Sequence, residues 1–330
     1  MLFNNTAPSF GVQYVNKIVS EKKPLHPPHQ GDPLFEKLKK YIQEVVILLV
    51  TINDNEKWAA LHHLVPPMAD GTPLAPKPVR WFDDVQNTTV TLGMFGGHKA
   101  ALIQAKMGND CRTEIENALD LMPNVQLLVA VGVAYGSKTC KYADVLVSTT
   151  IDGVGNVKYH NGKLLFCEGD DRFTRMADRV FQVFTRETQS WTITTGFKCS
   201  EKGRMPTVVT GQVISAPWLV NDENLLLKLF DNDPMAVGGE MEGQVIASIY
   251  NKLRSQPKPR QIDIVIIKGV ASFADGNKEE ERKWQLTAAM AAVGYTEYKL
   301  EETGQRVCKL QNMGLMYICS EYYFIECHCG

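Results

Sequence analysis

Apolar and polar positions divide the chain into short apolar runs of strand length, separated by stretches with helical spacing. Val45–Thr51 (VVILLVT) is apolar at successive residues, the pattern of a parallel strand covered on both faces, and Phe35–Glu44 before it is spaced as a helix. A second helix is predicted from about Glu56 to Leu64. Pro66–Pro78 is a proline-rich connector. Strand signals follow at Thr88–Leu92, Ala100–Ala105 and Val125–Val131, with a helix at Ile115–Leu121 between the last two. The strand signal recurs at Val145–Thr149, Thr207–Ile214 and Ile262–Ile267. The helical signal recurs at Asp171–Thr185, Asp222–Leu229, Gly243–Leu253 and Glu279–Leu300. Residues 1–34, with Pro24, Pro27, Pro28 and Pro33, read as an extended arm, and no internal repeat is evident.

This alternation predicts an α/β domain with a mostly parallel sheet covered by helices on both faces. Functional loops are then expected beyond the carboxyl ends of the strands. Four such ends carry unusual residues: Thr51–Glu56 after VVILLV, Val131–Gly136 after LLVA, Ser215–Val220 after VVTGQVI, and Lys268–Asp275 after IDIVII. Between the last two lies VGGEMEGQ (residues 237–244), where Glu240 and Glu242 bracket a methionine just before a helical apolar run. An acidic first turn complements the helix dipole, and two carboxylates flanked by glycines also suit ligand binding. These residues alone leave both readings open.

With 330 residues, 44% of them hydrophobic and 22% charged, the chain is long enough to bury a sizeable core. A formal net charge of −2 gives no basic footprint for nucleic acid or an anionic membrane surface, so a small-molecule partner is expected. The eight cysteines follow no framework spacing, and MLFNNTAPSF lacks the charged-then-apolar pattern of a signal peptide. A reducing cytoplasm is the expected setting. No run of 18 apolar residues predicts a membrane-spanning helix. Cys327, His328 and Cys329 are adjacent ligands that cannot fill a tetrahedral metal site unaided, and no metal is expected.

The four strand ends and GGEMEG follow the order and spacing of the nucleoside phosphorylase and nucleosidase superfamily, which the chain resembles over roughly residues 40–300. VGVAYG followed by KYADVLVSTTI resembles that family's glycine loop and next strand, with Ala143 in place of the usual glycine. GGEMEG resembles its ribose-binding EMEA segment. KGVASFAD followed by Lys283-Trp284-Gln285 resembles its GISDYAD…WQ segment. The resemblance implies a three-layer nucleoside phosphorylase-like fold with a mixed, mostly parallel central sheet over residues 41–305. A 1–40 arm would precede it and a 306–330 extension would follow. It also implies N-glycosidic cleavage of a purine nucleoside or nucleotide without organic cofactor or metal, in a dimer- or trimer-based homo-oligomer.

By the same resemblance, Glu242 accepts hydrogen bonds from the 2′ and 3′ hydroxyls of the ribose, in a segment shared with Glu240 and Met241. Glu56 orients the attacking water, and Trp218, Leu219 and Val220, with Val133 and Ala134, line the base. The bland alternatives are a helix-start glutamate for Glu56, a buried strand end for Trp218–Val220 and a loop cap for Asp275. Two departures stand out. Ala130 sits where phosphorolytic members carry a phosphate-binding arginine, which favours water as nucleophile, although Arg112 or Lys99 could supply a cation from another loop. Ser272 sits where purine-cleaving members carry the aspartate that serves N7 of the leaving base, with Asp275 three residues later as a substitute acid. Hydrolysis is therefore expected, with adenine nucleotides such as ATP or AMP among the substrates, because similar domains occur as immune effectors that cleave ATP. Phosphorolysis and a catalytically silent nucleotide sensor remain the alternatives. Arg172, Arg175, Lys202 and Arg204 are candidates for reading a 5′-phosphate.

Overall fold

The computed structural model describes residues 23–312, apart from 155–156, 161–162, 167–172, 187, 189, 196, 198–203, 218–219 and 221. The elements run α1 (Pro33–Gln43), β1 (Ile47–Thr51), α2 (Asp54–His63), β2 (Met68–Ala69), β3 (Thr72–Pro73), β4 (Val79–Asp83), β5 (Thr88–Phe95) and β6 (His98–Gln104). A 3₁₀ turn at Gly108–Cys111 leads into α3 (Arg112–Leu121). Then come β7 (Leu127–Gly136), β8 (Val145–Gly153), β9 (Val157–His160), β10 (Lys163–Phe166), β11 (Phe173–Arg175), α4 (Asp178–Thr185) and α5 (Ser190–Thr195). The rest comprises β12 (Val208–Ser215), α6 (Glu223–Asn232), β13 (Ala236–Glu240), α7 (Gly243–Arg254), β14 (Asp263–Ser272) and α8 (Lys278–Asn312).

One mixed sheet organises the molecule, and most of its interior pairings are parallel. β6, β1, β7 and β14 pair parallel in that order, and so do β8, β12 and β13. Antiparallel contacts of β14 with β8 and of β13 with β7 join the two sets. Strands β7, β14, β8, β12 and β13 thus close on themselves, and β4, β5 and β11 add antiparallel edges. The continuous apolar runs arise because alternate residues serve different faces. Ile47, Leu49, Leu127, Val129, Val265 and Ile267 pack with α2, α4, α5 and α8, while Leu48, Val50, Leu128, Ala130, Ile264 and Ile266 pack with α1, α3 and α7. Helix, sheet and helix make the three layers.

Several differences from the sequence reading have local causes. The Asp171–Thr185 stretch is not one helix. Phe173–Arg175 pairs antiparallel with the β8 edge, and α4 begins only after Ala177. Val131–Gly136 and Lys268–Ser272 are not loops beyond strands but the carboxyl halves of β7 and β14, kept extended by pairing with each other. Leu38, buried in α1, lies within the stretch assigned to the arm. Ala143 adopts φ +65°, which explains why glycine is usual at that position in the family it resembles. Among the described residues no helix is long and apolar enough to cross a membrane.

β14 and α8 meet more closely than side chains permit. A Cβ added at Gly269 would lie 2.0 Å from the Ala288 carbonyl oxygen, so helix and strand meet backbone to backbone. Gly269→Ala is expected to lower stability by roughly 1–3 kcal/mol through overpacking. Denaturant unfolding checks this, with loss of midpoint at nearly constant slope as the expected result.

Candidate active site

At the carboxyl ends of β1, β7 and β14 the chain buries four charged side chains: Glu56, Glu240, Glu242 and Lys268, each at most 5% exposed. Burial of that many ionisable groups is costly unless they pair and hydrogen-bond. Each is anchored differently.

Glu56 is the third residue of α2, and Asn53 is the helix cap. The Asn53 side chain accepts from the Glu56 N–H at 3.0 Å, and the Glu56 carboxylate reaches back to the Asn53 N–H at 3.3 Å, a reciprocal capping box. The same carboxylate accepts from the Ile52 N–H at 2.6 Å and, across to β7, from the Val133 N–H at 2.8 Å. It lies flat against β7, where a Cβ at Gly132 would come within 2.2 Å of Glu56 Oε1. The glycine of VGVAYG therefore makes room for this glutamate. Burial raises the Glu56 pKa and the Glu242 charge adds to that, against the opposing pull of Lys268 and the backbone donors.

The two glutamates of GGEMEG have separate tasks. Glu240, the last residue of β13, turns its carboxylate onto the start of α7, accepting from the Glu242 N–H at 2.9 Å and from the Gly243 N–H at 2.9 and 3.0 Å. It thereby satisfies orphan donors of the helix. Burial, reinforced by Glu242, pushes its pKa up to about 7. Glu242 is the N-cap of α7 but makes no side-chain cap bond. Its Oε1 instead accepts from the Gly108 N–H at 3.1 Å and its Oε2 lies 3.5 Å from Lys268 Nζ.

Lys268 was not singled out in the sequence, although a lone lysine inside IDIVIIKGVAS was the available signal. Burial works against its charge, but Glu56, Glu242 and Glu240 outweigh that and hold its pKa above the ordinary value. Cys111 lies near the same carboxylates. Burial pushes its thiol up to about 12, so it stays protonated and is no nucleophile.

The other expected site residues are more dispersed. Val220 is buried with Tyr135, Ala216 and Ala274, while Trp218 and Leu219 lie outside the described residues. Ala134 is buried, and Val133 and Met241 are half-buried beside the glutamates. Ser272 ends β14, and its hydroxyl accepts from the Ala274 N–H at 2.9 Å and donates to Glu281 Oε1 at 2.5 Å. Asp275 is exposed, with Oδ1 accepting from the Asn277 N–H at 3.0 Å as a loop cap. Ala130 is buried in the core on the α3 and α7 side. Lys99 is at the amino end of β6, paired with Glu44, so it is on the far side of the sheet from the glutamates. Arg112 opens α3, four residues after Gly108, and donates to Ser248 Oγ of α7 at 3.2 Å. Arg204 is engaged by Asp144 at 2.7 Å, Arg175 is exposed next to Asp178, and Arg172 and Lys202 lie outside the described residues.

A 5′-methylthioadenosine/S-adenosylhomocysteine nucleosidase from Colwellia psychrerythraea, solved with adenine, matches 78% of this chain and 95% of its own at a TM-score of 0.58 and 17% identity. The chain shares the fold of this nucleosidase structure. Futalosine hydrolase of Helicobacter pylori, a further structure of this fold, matches 78% of this chain and 98% of its own at a TM-score of 0.57 and 14% identity. In sequence, the death domain-containing ATP nucleosidase of Amphimedon queenslandica is 25% identical over 279 residues, which is 78% of this chain. The chain spans about half the length of that curated relative, 49%. No family model matches. In this fold the turn after β1, the junction of β13 and α7, and β14 carry the four buried charges to one place.

The pH dependence of this cluster follows from its raised carboxylates. Glu240 binds its proton more tightly folded, at about 7, than the ordinary 4.5, so its contribution is present at low pH and lost as pH rises toward 7. Lys268→Met would remove the one cation and raise the carboxylates further. Its stability loss is expected to reach roughly 3–5 kcal/mol near pH 8 and to shrink toward pH 5, where the carboxylates take up protons. Denaturant unfolding of both proteins across that range measures it, and a pH-independent difference would contradict the assignment.

Proposed function

We propose that this chain hydrolyses the N-glycosidic bond of a purine nucleoside or nucleotide, with adenine nucleotides such as ATP or AMP as the substrates, acting as a homo-oligomer in the cytoplasm. The observation that carries the reading is the buried Glu242. It makes no side-chain cap bond, and among the described residues its oxygens meet one backbone N–H and one ammonium at 3.5 Å. A carboxylate offers about four acceptor sites. Those left on Glu242 suit the paired 2′ and 3′ hydroxyls of a ribose, which distinguish it from most other small ligands.

Cleavage develops positive charge on the sugar, and negative groups fixed nearby stabilise it without reorganising. Glu242 supplies that charge beside the ring. Glu56, held by backbone donors on three sides, orients a water and takes its proton as oxygen adds to C1′. Lys268 keeps the two carboxylates together. The apolar side for the base is assigned to Val220, Val133 and Ala134, buried or half-buried at the same strand ends. The names of the sponge relative and of the adenine-bound nucleosidase agree with this substrate class.

Water is the favoured nucleophile because neither Ala130, buried in the core, nor Lys99, at the opposite strand ends, offers a phosphate a cation. Arg112, four residues after Gly108, donates to Ser248 Oγ and lies 3.9 Å from Glu116, and a substrate's 5′-phosphates are a fitting further partner.

Chromatography of products from adenosine, methylthioadenosine, inosine, AMP and ATP, with and without phosphate, tests the reading. Free base and a sugar without a 1-phosphate are expected, with no acceleration by phosphate. A sugar 1-phosphate would establish phosphorolysis instead. Calorimetric binding without turnover would make the chain a sensor. Glu242→Ala is expected to lower kcat/KM by at least about 10²-fold through the lost transition-state contact, with a native-like melt. Undiminished cleavage by that variant would remove the sugar-binding role.

A further inference from the structure

The cluster at Lys268 has three carboxylates, whereas β14 ends in Ser272, at the position where purine-cleaving members of the family the chain resembles carry an aspartate. The chain nevertheless brings a carboxyl group to that serine. Three acidic residues open α8, and only one of them turns inward. Glu279 is exposed, with 89% of its side-chain surface accessible, and Glu280 is engaged by Trp284 Nε1 at 2.9 Å and Lys283 at 3.2 Å. Glu281 is buried, accepts from the Ser272 hydroxyl through Oε1, and faces Lys278 Nζ with Oε2 at 2.9 Å. Tyr142 roofs the same corner, stacked on Trp284 at 5.1 Å and edge-on to Phe273 at 4.8 Å. Asp275, the nearer acid in sequence, is turned to solvent.

A solvated first turn of a helix gains from acidic residues wherever they point. It gives no reason to bury one of three against a hydroxyl at a strand end. Resting on the proposed N-glycosidic cleavage, we propose that Glu281, acting through Ser272, supplies the proton that the departing base takes up. As the C1′–N9 bond breaks and its electron pair passes to the purine, N7 takes the hydroxyl proton of Ser272, and Ser272 takes the carboxyl proton of Glu281. Glu281 is left as a carboxylate facing the ammonium of Lys278. Water adds its oxygen to C1′ and gives a proton to Glu56. After product release Glu56 returns that proton to solvent, and Glu281 takes one from solvent. Over one turnover, water is divided between sugar and base.

A hydroxyl bonded to a carboxyl is a proton conduit in either direction. With Glu281 ionised, Ser272 donates to it; with Glu281 protonated, the same contact reverses and Ser272 is free to donate to the base. Positioned proton transfer of this kind contributes about 10²–10⁴-fold. Glu281 is therefore a positioning residue, one step removed from the substrate.

The test compares two leaving groups on the full-length protein: adenine from the best adenine nucleoside or nucleotide, and 4-nitrophenolate from 4-nitrophenyl β-D-ribofuranoside, which departs without needing a proton. In Glu281→Gln, kcat on the adenine substrate is expected to fall about 10²-fold or more with KM little changed, and the ratio of adenine to nitrophenyl turnover to fall by a similar factor. Ser272→Ala should lower that ratio likewise. Adding Ser272→Asp to Glu281→Gln moves the carboxyl group to the strand end and should restore adenine turnover. If Glu281→Gln slows both substrates equally, or if Ser272→Asp does not rescue it, Glu281 is only a brace for α8 and the inference falls while N-glycosidic cleavage stands. If the native protein cleaves neither substrate, the proposed cleavage falls, and the proton relay falls with it.

Discussion

A single buried ammonium surrounded by three carboxylates is the constraint on which the site depends. Lys268 comes from β14, Glu56 from the turn after β1, and Glu240 and Glu242 from the junction of β13 and α7. Removing an ion from water costs several kcal/mol even after relaxation, and a surplus of like charges adds to that. The fold offsets the cost with backbone donors. Glu56 and Glu240 are each held by three N–H contacts, whereas Glu242 has one N–H and an ammonium at 3.5 Å. The least satisfied carboxylate is thus the one that the proposed reading assigns to a ligand's hydroxyls. That imbalance links folding energetics to function, because saturating every carboxylate internally would leave nothing for a substrate.

The sheet topology makes this convergence possible. Lys268 and Gly132 are register partners in β14 and β7, so the ammonium and the strand that supports Glu56 are adjacent by pairing. β13 reaches the same place only because the sheet curls, with Gly238 and Gly239 pairing antiparallel to Gly136 and Tyr135 at the end of β7. The conduit of Ser272 and Glu281 lies four residues farther along β14 from Lys268. One strand therefore carries both ends of the site, and α8, packed against it at Gly269, carries Glu281 to the second.

What could be read from the sequence follows from range. Continuous apolar runs such as VVILLVT and IDIVII announce strands covered on both faces, because each face is served by alternate residues of one run. GGEMEG announced a carboxylate pair, yet nothing local to it separates a capping Glu240 from an unencumbered Glu242; that division depends on where Gly108 and Lys268 arrive from elsewhere. Lys268 was passed over because a strand pattern tolerates one polar residue without comment. Glu281 was invisible for the opposite reason, since KEEER reads as a solvated acidic turn and only a contact with Ser272 distinguishes one glutamate from its neighbours. β11 does not stand out from the helical pattern of Asp171–Thr185, because three residues on a sheet edge carry too little pattern to interrupt an amphipathic stretch.

The same charge distribution bears on the choice of nucleophile. Three carboxylates, Glu56, Glu240 and Glu242, surround the one ammonium of Lys268, so carboxylates outnumber cations in the pocket that the proposed reading gives the sugar. A phosphate anion entering that pocket would meet repulsion at short range in a medium of low effective dielectric, where unit charges interact by several kcal/mol. Position 130, where the resemblance puts a phosphate-binding arginine, is an alanine packed in the core. Water carries no charge and needs only an acceptor, which Glu56 provides. On the proposed reading the same carboxylates stabilise the cationic sugar that cleavage generates. Repulsion of an anionic nucleophile and attraction for a cationic transition state are therefore two consequences of one arrangement, and together they favour hydrolysis over phosphorolysis.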